Sequence, residues 1–206
     1  LKSPLTSIIG YQELIGEGII TDEADIKDAT NKTVKEASRM NQIIIEMLEL
    51  SKLEMDTIVE KKELSLSGAI DGVLESFDVL IKNKNITIGK KYNDFTVNMN
   101  MDELYHVIRN LIDNAIKYNK ENGSISIVID KKNKTLSISD TGIGISKEHL
   151  NRIFERFYRV DKARSRKDNR YGLGLAIAKN IVLLHKGKIK ASSMDGITTF
   201  QVTFKK

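Results

Sequence analysis

Two asparagines and a lysine share one face of a predicted helix in the segment NLIDNAIKY. Asn110 and Asn114 are four residues apart and Lys117 follows three residues later, so an α-helix projects all three side chains to one side. Amide oxygens suit Mg²⁺, which prefers oxygen ligands and keeps some of its waters, and a lysine suits the phosphates that accompany such an ion. The alternative is a solvated polar face, because apolar residues form the opposite side of the same helix. These residues alone leave both interpretations open.

A second candidate is the segment DTGIGIS, which follows a predicted strand and could form the edge of a nucleotide pocket. Asp140 ends the strand, and Gly142 and Gly144 alternate with larger residues. Glycine permits positive φ angles and lets the backbone approach a flat ligand closely. A carboxylate at this place can accept a hydrogen bond from an exocyclic amine, which distinguishes adenine from guanine. Most Asp-x-Gly-x-Gly segments are ordinary turns, so this motif alone is a weak signal.

A third candidate is the basic stretch 159–171, which contains few apolar residues and follows Phe154 and Phe157. The composition predicts a mobile loop rich in charges that attract phosphate, although a solvated loop without a ligand has the same composition. The stretch leads into a predicted helix start, where free N–H groups and the helix dipole favour anions. That helix start contains the candidate anion-binding segment Gly172, Leu173 and Gly174.

Two regions with different hydrophobic periods would position these residues. Residues 1–56 have helical periodicity, with one helix after Pro4 that ends near Gly16 and a second, longer helix with a heptad seam. The seam consists of Ile26, Thr30, Thr33, Ala37, Met40, Ile44, Met47 and Ser51. Two antiparallel helices bury little surface, which favours a dimeric four-helix bundle. The alternative is a hairpin that packs on its own C-terminal half.

From residue 63 onward, strand-like and helical segments alternate. We predict strands at 86–92, 124–130, 136–140, 188–192 and 199–204, and helices at 67–82, 101–118, 147–157 and 173–185. Three hairpin-like strand pairs and clustered helices indicate an α+β sandwich, with a mixed sheet and helices on one face. The predicted domains are therefore the helical hairpin 1–56 and the α+β domain 63–206, joined by a charged linker at 57–62.

The composition excludes several classes of function. The net charge of +5 comes from 33 basic and 28 acidic residues that are interspersed, so nothing indicates a nucleic-acid partner. Cysteine is absent, which excludes disulfides, thiolate catalysis and zinc ribbons and fits a reducing compartment. His106, His149 and His185 lack the spacing of metal ligands. No apolar run reaches the ~18 residues of a membrane span. Since the chain starts at Leu1 inside a helical pattern, we expect a piece of a longer protein.

The order and spacing of the motifs carry more information than each motif alone. The Asn-x-x-x-Asn helix, the DTGIGIS segment, the two phenylalanines and the Gly-x-Gly helix start resemble the N, G1, F and G2 boxes of sensor histidine kinases. The first residues, LKSPLTSI, resemble the remainder of the H box, His-Glu-Leu-(Lys/Arg)-(Thr/Ser)-Pro-Leu. The resemblance covers nearly the whole chain. It implies a dimerisation and phosphoacceptor domain at 1–56 and an ATP-binding domain of the Bergerat fold at 63–206.

The resemblance also implies roles toward ATP and Mg²⁺. Asp140 would contact the adenine amine, with the glycines of its segment shaping that end of the pocket, and Tyr118 would lie near the adenine or ribose. Asn114 would hold Mg²⁺ with help from Asn110. The phosphates would contact Lys117, Arg159 and the segment Gly172, Leu173 and Gly174. Phe154 and Phe157 would anchor the lid, and His185 would have a packing role.

The family pattern places the phosphoacceptor histidine two residues before Leu1, so we expect the chain to bind ATP without containing its own acceptor. Ser3 would lie four residues after that histidine, where the family supports dephosphorylation of the regulator, although capping of the helix start is the alternative. The implied partners are a second copy, bound through the hairpin, and a response-regulator receiver domain. The implied location is the cytoplasmic part of a bacterial sensor kinase that other segments anchor to a membrane. Whether the phosphoryl group passes to a histidine of the same subunit or of its partner stays open.

Two alternatives belong to other functional classes. ATPases of the same fold, as in the gyrase, Hsp90 and MutL groups, use Glu-x-x-x-Asn on this helix, with the glutamate activating water. Here Asn110 occupies the place of that glutamate, which makes hydrolysis a poor fit. A degenerate kinase that only dimerises and scaffolds is the second alternative, but Asn114, Asp140 and both glycine pairs are intact.

Overall fold

An antiparallel helical hairpin forms the first part of the chain, with α1 at Lys2–Gly16 and α2 at Glu23–Glu54. The structure is a computed structural model, and it describes residues 2–54, 60–160 and 171–205. The turn between the helices contains Gly18 at a φ of 69°, a conformation that glycine adopts without strain. Asp22 then caps the start of α2, since its Oδ1 accepts a hydrogen bond from Ala24 N at 2.8 Å. The predicted helical character of this region is confirmed.

The second part of the chain contains seven strands and five helices within the described residues. They are β1 (Lys62–Ser65), α3 (Leu66–Ser76), α4 (Asp78–Asn83), β2 (Thr87–Asn93), β3 (Thr96–Met99), α5 (Met101–Lys117), β4 (Ser124–Asp130), β5 (Thr135–Asp140), α6 (Lys147–Leu150), α7 (Gly174–Leu184), β6 (Lys188–Met194) and β7 (Ile197–Thr203). Five strands form a sheet in the order β2-β4-β5-β7-β6, and β1 pairs with β3 in a separate ribbon. Strand β2 runs parallel to β4 and the other neighbours are antiparallel, so the sheet is mixed.

The core lies between one face of this sheet and the helices α3, α5 and α7. Alternate residues of β4, β5 and β7 are buried, as the two-residue period of strands requires. Their opposite face is polar, and there Ser139 and Thr199 share a hydroxyl hydrogen bond of 2.8 Å. Asn100 caps the start of α5, because its Oδ1 accepts hydrogen bonds from the amides of Asp102 and Glu103 at 2.9 and 3.3 Å. The predicted sandwich with helices on one face is confirmed.

Several predicted elements differ from the structure. The ribbon strands β1 and β3 are not among the predicted elements, because four residues with alternate burial give little pattern to recognise. The predicted helix 67–82 is interrupted at Phe77, which has a φ of −106° and a ψ of 4°. The predicted helix 147–157 is helical only at Lys147–Leu150, and turns follow it. Consecutive strands of the sheet form two hairpins, β4 with β5 and β6 with β7, rather than the three expected, and β2 pairs with β4 in parallel.

Helix α2 packs on α7, so the hairpin contacts the α+β part of the same chain. Leu50 is buried in the same apolar core as the sheet, and the Arg39 guanidinium lies 5.7 Å from the centre of the Tyr171 ring. The predicted seam residues Ile44 and Met47 remain 44% and 43% exposed in the single chain. The buried residues Ala29, Ile43 and Leu50 each lie one position before a predicted seam residue, whereas the seam residues Ile26, Thr33 and Met40 are half-buried.

Candidate functional site

The first contact of the site joins the middle of α5 to the start of α7. Asn110 Nδ2 donates to the carbonyl oxygen of His106 at 2.9 Å, which directs Oδ1 away from the helix axis. That oxygen lies against Gly174, where a Cβ atom would overlap with it. A side chain at the first residue of α7 would therefore require the Asn110 amide to move. Asn114, one turn along α5, is half-buried.

The second contact joins the end of α5 to the segment after β5. Ile143 N donates to the carbonyl oxygen of Tyr118 at 3.0 Å, and a Cβ atom at Gly142 would overlap with the same oxygen. Gly144 has a φ of 75°, as the motif suggested, whereas Gly142 does not have positive φ and is required for space. The structure therefore brings the Asn-x-x-x-Asn helix and the DTGIGIS segment together at Tyr118.

Asp140 is the buried carboxylate of this site. It is 4% exposed, and its Oδ1 accepts a hydrogen bond from Gly142 N at 2.9 Å. Burial raises the pKa of Asp140 to about 6, and the Gly142 hydrogen bond opposes that rise. Within the part of the chain that the structure describes, Oδ2 receives no hydrogen bond from a protein donor. A buried carboxylate with one unoccupied oxygen is suited to accept a hydrogen bond from a ligand.

Lys117 and Tyr118 lie at the end of α5, and the Tyr118 carbonyl contacts the segment after Asp140. The Lys117 Nζ atom is buried and lies 5.0 Å from the centre of the Tyr118 ring. Tyr118 itself is 42% exposed, so one side of its ring is open to a ligand. The end of α5 thus carries an aromatic ring and a cation close to each other.

The third contact lies at the predicted phosphate end. Phe157 N donates to the carbonyl oxygen of Gly172 at 3.1 Å, and Gly172 has a φ of 72° with no room for a Cβ atom beside Tyr158. Leu173 precedes the helix with a buried side chain and makes no side-chain cap hydrogen bond. The first amides of α7 therefore have no side-chain cap and can receive an anion. Arg159, half-buried, is close in sequence to this contact.

The predicted lid residues 161–170 lie outside the described residues, but the segments on either side of them are described. The Phe154 ring packs at 6.4 Å from the Phe200 ring, nearly perpendicular to it, as an anchor would. Phe157 differs from the expectation, because its ring is 54% exposed and its φ is 63°. This residue holds the segment through its backbone hydrogen bond rather than through its ring.

The histidines have structural partners. His185 Nε2 lies 2.7 Å from Glu103 Oε2, and both side chains are largely buried, so this pair joins the end of α7 to the start of α5. His149 Nδ1 lies 2.6 Å from the hydroxyl of Tyr158. The described residues contain no group of three His, Cys, Asp or Glu side chains that could hold a metal ion. The expected packing role of His185 fits this contact.

Ser3 lies in the first turns of α1, far in sequence from the cleft. Its side chain is exposed, and its carbonyl oxygen accepts a hydrogen bond from the Ser7 hydroxyl at 3.2 Å. This geometry fits a residue at a helix start and does not test a role in dephosphorylation.

Sequence reasoning missed the polar residues that support the segment around Asp140. Asn119 is buried, its Nδ2 donates to Ser124 O at 3.0 Å, and its Oδ1 accepts from the Thr141 hydroxyl at 3.3 Å. Thr198 is 3% exposed and lies opposite Asp140 in the pairing of β5 with β7. An asparagine directly after a helix and a threonine inside the glycine motif were the available signals.

Comparisons with known proteins agree with this architecture. Residues 99–206 match the family model "Histidine kinase-, DNA gyrase B-, and HSP90-like ATPase", and residues 1–56 match the "His Kinase A (phospho-acceptor) domain". The sensor protein SrrB of Staphylococcus aureus is 33% identical over the whole chain, which spans 36% of the length of that relative. No helix among the described residues combines the length and apolar character that a membrane crossing needs.

Solved structures show the same arrangement of domains. Histidine kinase ThkA, in complex with response regulator protein TrrA, is 26% identical with a TM-score of 0.73, covering 98% of this chain and 57% of that one. Histidine kinase AdeS of Acinetobacter baumannii has a TM-score of 0.72 over 98% of this chain and 95% of that chain, and its 23% identity shows the fold alone. With both family models and this architecture in agreement, the chain belongs to the sensor histidine kinases, whose ATP-binding domain is of the histidine kinase-, gyrase B- and HSP90-like type.

Proposed function

We propose that the cleft between α5, the segment 140–145 and the start of α7 binds ATP with Mg²⁺, and that the protein transfers the γ-phosphoryl group to a histidine. The observation that carries this proposal is the pair of contacts on α5. Asn110 touches Gly174 at one place, and Tyr118 holds the Asp140 segment at the other. Helix α5 thus contacts two places: the Asp140 carboxylate segment, which suits a nucleobase, and the start of α7, which suits phosphate.

The base would lie at the Asp140 end. Asp140 Oδ1 accepts a hydrogen bond from Gly142 N, so Asp140 Oδ2 would accept one from the exocyclic amine of adenine. Guanine presents a carbonyl oxygen at the corresponding edge, which a carboxylate repels. The exposed side of the Tyr118 ring would contact the base or the ribose.

The phosphates would lie at the α7 end. The uncapped first turn of α7 supplies amide donors and the positive end of the helix dipole. Lys117 and Arg159 would add positive charge along the path from the base to this helix. These residues would fix the triphosphate in one orientation, which is most of what a protein contributes to phosphoryl transfer.

The amide oxygens on α5 fit a magnesium ion. Asn110 Oδ1 is directed at the start of α7 because its Nδ2 is engaged by His106, and Asn114 lies one turn further along α5. Neutral oxygen ligands suit Mg²⁺ that already carries phosphate charge, since it keeps several waters. The bound ion would offset the negative charge that develops on the transferred group and on ADP.

The transfer itself would form a P–N bond to an imidazole nitrogen while the bond from the γ-phosphorus to the β-γ bridging oxygen breaks and ADP leaves. Residues 1–56 contain no histidine, and the chain's histidines lie in the ATP-binding part. We therefore expect residues 1–206 to bind nucleotide without acquiring phosphohistidine. The phosphoryl group would pass from the histidine to an aspartate of a response regulator, as the solved ThkA complex with its regulator suggests.

The hairpin would pair with a second copy of the chain. Large apolar side chains on α1 and α2 are exposed in the single chain, which leaves an unburied surface that a four-helix bundle would cover. The exposed group comprises Leu5, Ile9, Leu14, Ile44, Ile45, Met47 and Leu48. In the intact protein, the Ser3 hydroxyl would support dephosphorylation of the regulator.

The test is a titration of residues 1–206 with a fluorescent ATP analogue in the presence and absence of Mg²⁺. We expect saturable binding that Mg²⁺ strengthens and that Asn114→Ala weakens, with Asn133→Ala, in the turn after β4, as the matched control. Absence of binding at millimolar nucleotide would contradict the proposal. Release of inorganic phosphate at a steady rate would favour a hydrolase instead.

A further inference from the structure

A lysine outside the known motifs reaches the end of α5. Lys84 follows α4, and its Nζ donates to the carbonyl oxygens of Ile116, Lys117 and Asn119 at 2.9, 2.8 and 3.3 Å. An ammonium group has three N–H donors, so each of them has an acceptor here. The last carbonyls of a helix lack intrahelical partners and carry partial negative charge, which a cation offsets. Lys84 therefore acts as a side-chain cap from another element.

The main chain of Lys84 is attached to the same region. Its carbonyl oxygen accepts from Asn122 N at 2.9 Å, and its own N–H bonds to Leu80 O at 3.2 Å. The side chain is half-buried along this path. Because both the backbone and the ammonium of this residue contact the connection from α5 to β4, Lys84 fixes that connection relative to α4.

The carbonyls that Lys84 holds flank Tyr118, and Tyr118 carries the Asp140 segment. Tyr118 O accepts from Ile143 N at 3.0 Å, and Asn119 Oδ1 accepts from the Thr141 hydroxyl at 3.3 Å. A rotation of the Tyr118 or Asn119 peptide would move both acceptors. It would thereby displace the loop that orients the Asp140 carboxylate.

We propose that Lys84 is a positioning residue for recognition of the purine. It holds the Lys117 and Asn119 carbonyls on either side of Tyr118, so that the free oxygen of Asp140 faces the exocyclic amine. This inference rests on the proposed function of the cleft. It concerns the adenine end alone, because none of the hydrogen bonds of Lys84 reaches Asn110, Gly174 or the start of α7.

The experiment compares Lys84→Met, Lys84→Arg and the control Lys82→Met in residues 1–206. Lys82 lies two residues away, and its ammonium bonds to Asp78 on an exposed surface. Competition against a fluorescent ATP analogue gives the affinities for ATP and GTP at a temperature well below unfolding. Hydrogen exchange of peptides covering 141–145 and 174–184 is measured without nucleotide.

We expect Lys84→Met to weaken ATP binding ~10-fold while GTP binding changes little, so that the preference for ATP narrows by a similar factor. Exchange should rise at 141–145 and stay unchanged at 174–184. Lys84→Arg should restore part of both effects, because it keeps charge and donors. Lys82→Met should match the parent chain in every measurement.

Equal weakening of ATP and GTP, or exchange that rises equally in both peptides, would show a general structural role and overturn the proposal. An unchanged Lys84→Met variant would overturn it as well. If the parent chain binds no ATP, the proposed function fails. The exchange comparison then still decides whether Lys84 holds the loop, because it needs no nucleotide.

Discussion

Replacing the buried carboxylate of Asp140 with an amide should separate stability from nucleotide binding. Burial raises the pKa of Asp140 from 3.8 to about 6, so folding favours the protonated carboxyl over the ionised one. A group of this kind contributes stability that is fully present below pH 3.8 and is lost as the pH rises through about 6. At pH 7.5 the ionised carboxylate therefore destabilises the fold without ligand, by about 2–3 kcal/mol at 1.36 kcal/mol per pKa unit.

The Asp140→Asn variant removes this charge and keeps the shape. We expect it to raise the free energy of unfolding at pH 7.5 by up to about 2–3 kcal/mol, or the Tm by roughly 4–10 °C. Urea unfolding at several pH values from 4 to 7.5 should show a difference from the parent that grows with pH. The matched control is Asp130→Asn at the end of β4, because hydrogen bonds from Asn133 lower the pKa of Asp130. That control should show no gain at neutral pH.

Nucleotide binding should change in the opposite direction. With Oδ1 still accepting from Gly142 N, the introduced amide nitrogen would meet the adenine amine, placing a donor against a donor. We expect ATP affinity to fall by roughly 10- to 150-fold, which corresponds to a lost hydrogen bond to a charged group of about 1.5–3 kcal/mol. Isothermal titration with ATP measures this loss. A variant that is less stable than the parent at pH 7.5, or that binds ATP equally well, would refute the reasoning.

Three further predictions concern space, packing and association. Gly142→Ala should lower the free energy of unfolding in urea by about 2 kcal/mol or more, because its Cβ would overlap with the rigid carbonyl of Tyr118. The control Gly89→Ala should lower it far less, because the nearest atom to that Cβ lies at 3.9 Å. Glu103→Gln should lower the free energy of unfolding by about 1 kcal/mol while leaving the ATP dissociation constant unchanged, since the pair with His185 lies at the opposite end of α5 from the Asp140 segment. Ile44→Glu should convert a dimer into a monomer in analytical ultracentrifugation with unchanged ATP affinity, and a parent chain that is already monomeric would contradict the proposed hairpin interface.

The parts of the molecule with repeated local patterns could be predicted from sequence. The strand at 124–130 has the predicted bounds, and α5 ends one residue before the predicted position, because alternate burial and helical periodicity run unbroken through both. The two ribbon strands were not predictable, since four residues contain too few alternations. Phe77 interrupts a continuous helical pattern, and its buried ring takes part in the core.

The candidate site followed the same division. Motif order predicted one site from Asp140, Asn110 and Gly174, and the structure has Asn110 against Gly174 and the Asp140 segment against Tyr118, at two places along α5. The positive φ expected at Gly142 was wrong, and spacing along the chain does not reveal that the carbonyl of Tyr118 lies beside this glycine. The Lys84 side chain bonds to carbonyls 32 or more residues away, and the Asn119 side chain bonds to a carbonyl five residues away. A lysine in a polar turn gives no sign of such partners.

The buried pair of Glu103 and His185 determines how the cleft can change shape. Helices α5 and α7 are joined at both ends of α7, by Asn110 against Gly174 and by the carboxylate against the imidazole. A slide of one helix along the other would disturb both contacts, so these contacts oppose shear between α5 and α7. Gly172 lies just outside this clamped unit, in a backbone conformation with a φ of 72°. We therefore expect α7 to keep its place on α5 when the proposed cleft takes up a nucleotide.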